Sequence, residues 1–492
     1  MIDSTAASLP PAGGRAFRHL IGNTLSLVTN DMVNRAITFV VYALIARFLG
    51  IYEFGQMSLT LTIFYLLQNL APIGIKILVV RDVSKEKGKT WSYLIGGSMV
   101  AAFSSLLALG ILYLFSQVLN YAKDTTTIIF LMSFGLIPYS ISAVFEAILQ
   151  AHEKIRLITF ANVPISILRG VLSYLLLKQG FQLSWIAVIF SATFFATMLM
   201  EGILVWRSIP MEKGKVDFVF IRQIIQSSVA FLGLQTLIAV SGSLLPLIIS
   251  VTNTEIQVGL FNAANQLMSP FLLVMQSIVM SLFPRLCQKH DLGADEFSTS
   301  TRRLVELLAA FAIPVSIGLF YFSQPVLILL YDKPDFIASV PVLQIMVWIL
   351  ITRSTTSVLG RVLMAANREK SLLKIMIIEL IATVIISVIV IPIYQIAGAA
   401  ITALVIGLLD LILHMNAVRS VIPWKNFSKV LINPLVASLT MMLWIEISKH
   451  IGGIYPGVAI LLAMTIYLLA WLMLVVTENG SWLNIKKHYL GV

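Results

Sequence analysis

Apolar runs of about 20 residues or more recur along this chain from one end to the other, and little else fills the space between them. That pattern constrains the fold more than any motif does, because a helix of roughly 20 apolar residues is what crosses the hydrocarbon core of a bilayer. We read such spans at 20–47, 53–80, 91–118, 126–150, 155–177, 183–206, 221–250, 256–284, 303–331, 338–366, 371–393, 395–418, 428–449 and 453–476. Only 12% of the 492 residues are charged, and 58% are hydrophobic. A soluble domain carries about 25% charged residues, and a soluble core of this size could not hide so much apolar surface. The expected class is an all-α polytopic membrane protein of about fourteen transmembrane helices.

Orientation follows from the loops. With the odd-numbered gaps on one face and the even-numbered gaps on the other, one face collects 25 Lys and Arg and the other five: Arg47, Lys123, Lys178, Lys333 and Lys449. Short cytoplasmic loops are enriched in Lys and Arg, so both termini are expected in the cytoplasm. The net charge of +11 is thereby explained as a topology signal, and a nucleic-acid partner is set aside. The first twenty residues lack an apolar core and read as a polar tail rather than a cleaved signal. The single cysteine, Cys287, excludes an intrachain disulfide framework and reads as a structural thiol. Near the end, Trp482, Leu483, Ile485, Tyr489 and Leu490, with Lys486 and Lys487, suit a short interfacial helix.

The chain also resembles itself. EFGQMSLTL (Glu53–Leu61) and QVGLFNAAN (Gln257–Asn265) occupy matching places, with Gly55 and Gly259 separated by 204 residues. Arg81 and Arg285, and Lys85 and Lys289, keep the same offset. The repeat predicts a polar tail at 1–19, a six-helix bundle over 20–207, a cytoplasmic linker at 208–218, a second bundle over 219–420, two extra helices over 428–476 and a tail from 477 to 492. Two six-helix repeats run in the same direction across the bilayer, related by an axis along its normal, an arrangement common among transporters.

Several segments, in order, carry a family resemblance. EFGQMSLTLTIF after ALIARFLGIY, then VGLFNAANQLMSPFLLVMQSIVMSLFPRL, PVLQIMVWIL, MAANREKSLLKI and IPIYQIAGAAITAL resemble the oligosaccharide (Wzx-type) flippases of the multidrug/oligosaccharidyl-lipid/polysaccharide exporter superfamily, over about residues 18–420. The resemblance implies paired bundles around a central cavity. It also implies a polyprenyl-diphosphate-linked oligosaccharide as cargo, moved to the outer leaflet of the cell membrane for surface polysaccharide of the O-antigen or lipopolysaccharide kind. Polysaccharide polymerase and other assembly proteins would be partners.

Ionisable groups inside spans are costly and are normally turned toward a cavity or a partner. Arg35, Lys76, Arg169 and Arg353 are the basic ones. Guanidinium binds phosphate oxygens in pairs, so Arg35, Arg169 and Arg353 are expected to meet the diphosphate or acidic sugars, with Lys76 and Asn34 beside them. Each has a plainer reading. Arg35 stands one turn after Asp31, as an i,i+4 pair would. Arg169 follows Pro164 and could cap freed carbonyls, and Lys76 could snorkel to the interface. Arg353 lies in a polar stretch, WILITRSTTSVLGR, that suggests a wet lining. Asp31, Glu146, Glu379 and Asp410 are candidates for carrying protons or a coupling cation, or else balance the arginines. Glu201, Glu306 and Glu446 read as interfacial. Asn23, Asn30, Asn34 and Gln68 suggest that the first two spans face water on one side, and Pro246, Pro270 and Pro314 can bend their spans.

No cofactor is expected: the six histidines are scattered, no metal-ligand cluster stands out, and no phosphate-cradling glycine loop is present. Two other functions suit the sequence less well. A multidrug cation antiporter of the same superfamily needs an acidic cavity, whereas the deep span positions here mix signs. A membrane glycosyltransferase or polymerase needs a catalytic domain or a large outer loop, for which these short loops leave no room.

Overall fold

The computed structural model describes residues 14–72, 74–119, 121–422, 431–450 and 456–479. The N-terminal tail, most of the basic turn after Arg419, and the interfacial helix expected near Trp482 lie partly or wholly outside the described residues, as does the side chain of Asn23. Among the described residues the chain is helical throughout, with no strand. It is an all-α, multi-pass membrane protein.

The helices are α1 (Gly14–Phe48), α2 (Ile51–Leu70), α3 (Ile75–Lys85), α4 (Thr90–Leu119), α5 (Lys123–Ser133), α6 (Leu136–Ala151), α7 (Ile155–Lys178), α8 (Leu183–Ser208), α9 (Phe218–Thr252) and α10 (Glu255–Asp291). They continue as α11 (Ala294–Tyr321), α12 (Ser323–Tyr331), α13 (Val340–Met346), α14 (Ile349–Ala365), α15 (Glu369–Val418), α16 (Ile432–His450) and α17 (Pro456–Asn479). Among the described residues, nine helical segments are long and apolar enough to cross a bilayer, or ten when the pair Pro334–Met346 and Ile349–Ala365, bent by 46°, counts as one span.

Within the described residues each expected span falls mainly on helix, but several are broken within. The 53–80 span is α2 plus α3, and the 126–150 span is α5 plus α6. The longest helix, α15, has 50 residues and would extend about 75 Å if straight, far beyond a bilayer core of about 30 Å. Gln395 interrupts it with φ 52° and ψ −131°, three residues after Pro392. That position separates the two spans expected at 371–393 and 395–418. A Cβ on Gly398 would stand 2.6 Å from the Val390 carbonyl oxygen, so the two arms leave the bend too close for any side chain there.

The chain divides into two compact units. One comprises the described residues up to Phe48 together with Ile63–Ala239; the other comprises Leu49–Thr62 and everything described from Val240 onward. The junctions between the units fall between α1 and α2, inside α2 and inside α9. Residues 209–217 are non-helical between α8 and α9. They connect elements of one unit, because α9 begins packed with the helices before it: Phe220 and Ile221 lie on the apolar core formed by Ile75, Leu78, Tyr93, Val144 and Ile148.

In the first unit α7 lies along α1 and α8 along α6. In the second, α14 pairs with the arms of α15, and α16 with α17. Tyr467 of α17 donates its hydroxyl hydrogen to the Ala310 carbonyl of α11 at 2.7 Å, which ties the last helix pair to the second unit. The N-terminal part of α2 packs within that unit too: Phe54 meets Tyr331 and Phe336 edge to face at 5.5 and 5.4 Å.

Gly55 and Gly259, the matched glycines of the internal repeat, meet at this packing. A Cβ on Gly55 would stand 1.9 Å from the Glu255 carbonyl oxygen, and one on Gly259 would stand 2.8 Å from that of Ile51. Backbone lies against backbone, with no flexible side chain to move aside. Gly55→Val and Gly259→Val are each expected to destabilise the protein by about 1–3 kcal/mol or more, the usual cost of overpacking. A lowered midpoint of thermal unfolding in lipid nanodiscs, beside an unchanged Gly110→Ala control whose Cβ meets nothing within 4 Å, is the measurement.

Candidate functional site

Asp31, Asn34 and Arg35 share one stretch of α1, so their i,i+3 and i,i+4 spacing puts them within a turn of one another. Arg35 Nε lies 3.0 Å from Asp31 Oδ2, with both side chains more than half exposed. The plain ion-pair reading of Arg35 is thus the geometry observed. Asn34 turns toward α7. Its Oδ1 accepts hydrogen bonds from the Ser166 hydroxyl and from Arg169 Nη2, the latter at 3.3 Å, and its Nδ2 donates to the Asn30 carbonyl at 3.0 Å.

Arg169 is 93% shielded, at 7% relative exposure. No carboxylate stands within ion-pair distance of it among the described residues. Its guanidinium lies over the Phe190 ring of α8 at 4.8 Å and near the Phe194 ring at 5.8 Å, and Nη2 also reaches the Ser166 hydroxyl at 3.4 Å. The Nε–H has no hydrogen-bond partner. Pro164 is one turn away, yet none of these contacts is to a freed carbonyl, so the capping role is not what the side chain performs. Tyr65 of α2 lies in the electrostatic reach of both Arg169 and Arg35. Phe64 stacks on Phe194 with ring centroids 5.0 Å apart, which fixes the aromatic wall behind the guanidinium. The result is a cation on an aromatic bed, joined by amide and hydroxyl groups, with a donor to spare.

A second cluster occupies the same unit. Lys76 of α3 pairs with Glu146 of α6 at 2.5 Å, so its ammonium is held by a carboxylate rather than drawn to the interface. Asn162 of α7 donates to the other oxygen of Glu146 at 3.1 Å. Glu201 of α8, which the sequence placed near an interface, is instead fully buried at 0% exposure and accepts a hydrogen bond from the Ser142 hydroxyl. Its proximity to a span end in sequence misled, because α6 packs along α8 right up to that end.

In the second unit Arg353 of α14 binds Asp410 of α15 at 3.1 Å. The arginine is 47% exposed and the aspartate 1%. The polar stretch around it is not a continuous wet lining: Thr352, Ser354, Thr355 and Thr356 are buried, and Thr352 and Ser354 bond to carbonyls of their own helix. His414, one turn beyond Asp410, places Nδ1 2.6 Å from Asp410 Oδ1. Glu379 comes from the other arm of α15, and one ligand atom each of Glu379, Asp410 and His414 lie within 4.8 Å of one another. No metal-ligand cluster is evident in the sequence; the chain reversal at Gln395 makes this one. Only the Asp410–His414 spacing could have signalled it. As a metal site the trio is compromised by the Arg353 guanidinium, which already holds Asp410.

The predicted residues therefore fall into separate groups. Arg35, Asn34, Asp31 and Arg169 lie on α1 and α7; Lys76 and Glu146 bridge α3 and α6; Arg353, Asp410 and Glu379 are in the second unit.

A profile described as polysaccharide biosynthesis protein matches residues 20–290, more than half of the chain. The chain belongs to that family. A second profile, lipid II flippase MurJ, matches residues 257–461. The two matches support a membrane transporter. Among solved structures, a lipid II flippase MurJ in an inward closed conformation is similar over 92% of this chain and 99% of its own, at 17% identity and a TM-score of 0.72. An inward-facing multidrug resistance MATE family transporter of the MOP superfamily covers 79% of this chain and 95% of its own, at 12% identity and TM-score 0.63. The MATE transporter VcmN of Vibrio cholerae covers 83% and 98%, at 15% identity and TM-score 0.56. At such identities the likeness is one of fold. No curated protein sequence matches the chain.

Removing Arg353 alone leaves the buried Asp410 carboxylate without its cation, whereas removing both does not. Arg353→Gln is expected to destabilise more than Arg353→Gln with Asp410→Asn. A double-mutant cycle in thermal or chemical unfolding should show a coupling of about 0.5–3 kcal/mol.

Proposed function

We propose that this protein is a flippase for a polyprenyl-diphosphate-linked oligosaccharide, moving it from the inner to the outer leaflet of the cell membrane by alternating access during surface polysaccharide biosynthesis. Arg169 is the residue of the first unit that meets the diphosphate. The observation that carries this reading is a buried guanidinium that, among the described residues, has no carboxylate partner and keeps a free Nε–H. A lone charge in a low-dielectric interior is expensive, and that cost is offset when an anion arrives. A diphosphate offers paired oxygens to the planar guanidinium edge. Asn34, Ser166 and Tyr65 supply hydroxyl and amide groups suited to phosphate or sugar oxygens.

Arg35 and Arg353 act more weakly in this scheme, because Asp31 and Asp410 already neutralise them. Their exposed faces still offer donors. Asp31, Glu146 and Asp410 each neutralise one of the cations, and with Glu379 they remain the acids available for ion coupling. The basic loop bias places both termini in the cytoplasm. With the inside negative, outward movement of an anion gains about 2.3 kcal/mol per charge per 100 mV. The resemblance to polysaccharide assembly systems brings polymerase and other assembly proteins in as partners. Family membership and the likeness to a lipid II flippase support a lipid-linked cargo. The likeness to MATE transporters keeps a cation antiporter as the second reading, which the unpaired cation at Arg169 opposes.

The test is export of lipid-linked oligosaccharide by alanine variants, in cells and in proteoliposomes. Arg169→Ala is expected to reduce flipping by tenfold or more, Arg169→Lys to recover part of it, and Arg35→Ala and Arg353→Ala to cost less. Undiminished export in all three alanine variants overturns the reading. Efflux of organic cations in place of lipid transport establishes the antiporter.

A further inference from the structure

We propose that Glu201 is a proton-binding residue of the first unit, and that its proton is taken up and released in step with transport. The transport half rests on the function proposed above; the proton site does not.

The geometry begins with burial. Glu201 is 0% exposed, and its Oε1 has no hydrogen-bond partner, while its other oxygen accepts from the Ser142 hydroxyl. The neighbouring charges are Glu146 on α6 and Lys76 on α3, with Asn162 of α7 hydrogen-bonded to Glu146 and also in reach of Glu201. Tyr139 of α6 lies in electrostatic reach of Lys76, Glu146 and Glu201. Toward the far end of α8, Lys154 is bonded to the Ser208 carbonyl; toward the near end, Arg169 lies on the Phe190 and Phe194 rings.

Charge decides what the site takes. Lys76 and Glu146 neutralise each other, which leaves Glu201 as one uncompensated carboxylate in a dry interior, a costly state. One proton on Glu201 makes the cluster neutral. A metal cation fits poorly. Hard cations such as Ca²⁺ or Mg²⁺ take about six or more oxygen ligands. Here one free carboxylate oxygen, a serine hydroxyl and an amide are on offer, and the Lys76 ammonium already occupies the cationic place against Glu146. The chemistry is transfer of H⁺ alone: an O–H bond forms at Glu201 on uptake from water and breaks on release to water.

The position suits coupling. Phe194, beneath Arg169, is seven residues before Glu201 on α8, about 10 Å along the helix axis. A shift of α8 that changes the Arg169 bed also moves Glu201 against α6 and its Ser142, Glu146 and Lys76 environment.

The full chain in lipid nanodiscs, titrated by difference infrared spectroscopy, tests the site without any cargo. Wild type should show a protonated-carboxyl C=O band that Glu201→Gln lacks. Lys76→Met should raise the titration midpoint of that band by about 1–3 pH units, since two carboxylates then share the site, and Glu146→Gln should lower it by a similar amount. A wild-type spectrum with no C=O component beyond those that Glu201→Gln keeps, or a midpoint that neither neighbour moves, overturns the proposal. If Glu201→Gln fails to fold, the two neighbour variants still decide it. In proteoliposomes carrying polyprenyl-diphosphate-linked oligosaccharide, a pH gradient should change the wild-type flipping rate several-fold and leave Glu201→Gln unresponsive. A gradient response retained by that variant overturns the coupling. If wild type moves no lipid at all, the flippase reading fails while the infrared result still stands on its own.

Discussion

An ionisable side chain in a membrane span has no water to fall back on, so the interior of this protein is organised by how each such charge is answered. Arg35 is met by Asp31, Lys76 by Glu146, and Arg353 by Asp410 with His414 behind it. In the last two pairs the anion is the more buried partner, and leaving it there without its cation would cost several kcal/mol. Two of the three also tie one helix to another, α3 to α6 and α14 to α15, and so help set which faces turn inward. Arg169 and Glu201 stand apart from this scheme. One is a buried cation without a carboxylate among the described residues, the other a buried carboxylate beside an already neutral pair, and both lie in the first unit. Groups held at such cost are where a transporter meets an anion or a proton.

Broken helices are the second means by which polar groups enter the interior. Non-helical backbone at membrane depth survives only where protein or a water-filled space covers it. At the α5–α6 break, the Phe134 and Gly135 amides donate to the Phe130 and Met132 carbonyls, so the turn satisfies itself. At α15 the break lets one long helix become two arms that bring Glu379, Asp410 and His414 together. Close packing of the arms depends on Gly398, just as the α2–α10 crossing depends on Gly55 and Gly259.

Much of the fold was legible in the sequence because lipid imposes a simple code. The apolar runs fall on helix wherever the structure describes them, and the gap at residue 394 between two runs of the second repeat lies beside the break at Gln395. The paired glycines were found from their equal spacing, but that they touch one another is a tertiary fact. The site was less legible. Spacing along α1 foretold the Asp31–Arg35 pair, since i,i+4 neighbours need only one helix. The Lys76–Glu146 pair, 70 residues apart, and the Arg353–Asp410 pair, 57 apart, depend on which helix faces pack together. Span edges in sequence also misplaced Glu201, whose burial comes from α6 alongside it.

By itself, then, the sequence determined that this chain is a many-span helical membrane protein of the polysaccharide biosynthesis family, because hydrophobic length, the bias of Lys and Arg in loops and the motif order are all local properties of the chain. Only the tertiary structure decided which buried charges are neutralised and which are left over. That outcome is set by contacts between helices distant in sequence. A few ångströms of packing separate an arginine held by an aspartate from one that lies on two phenylalanine rings with a donor still free.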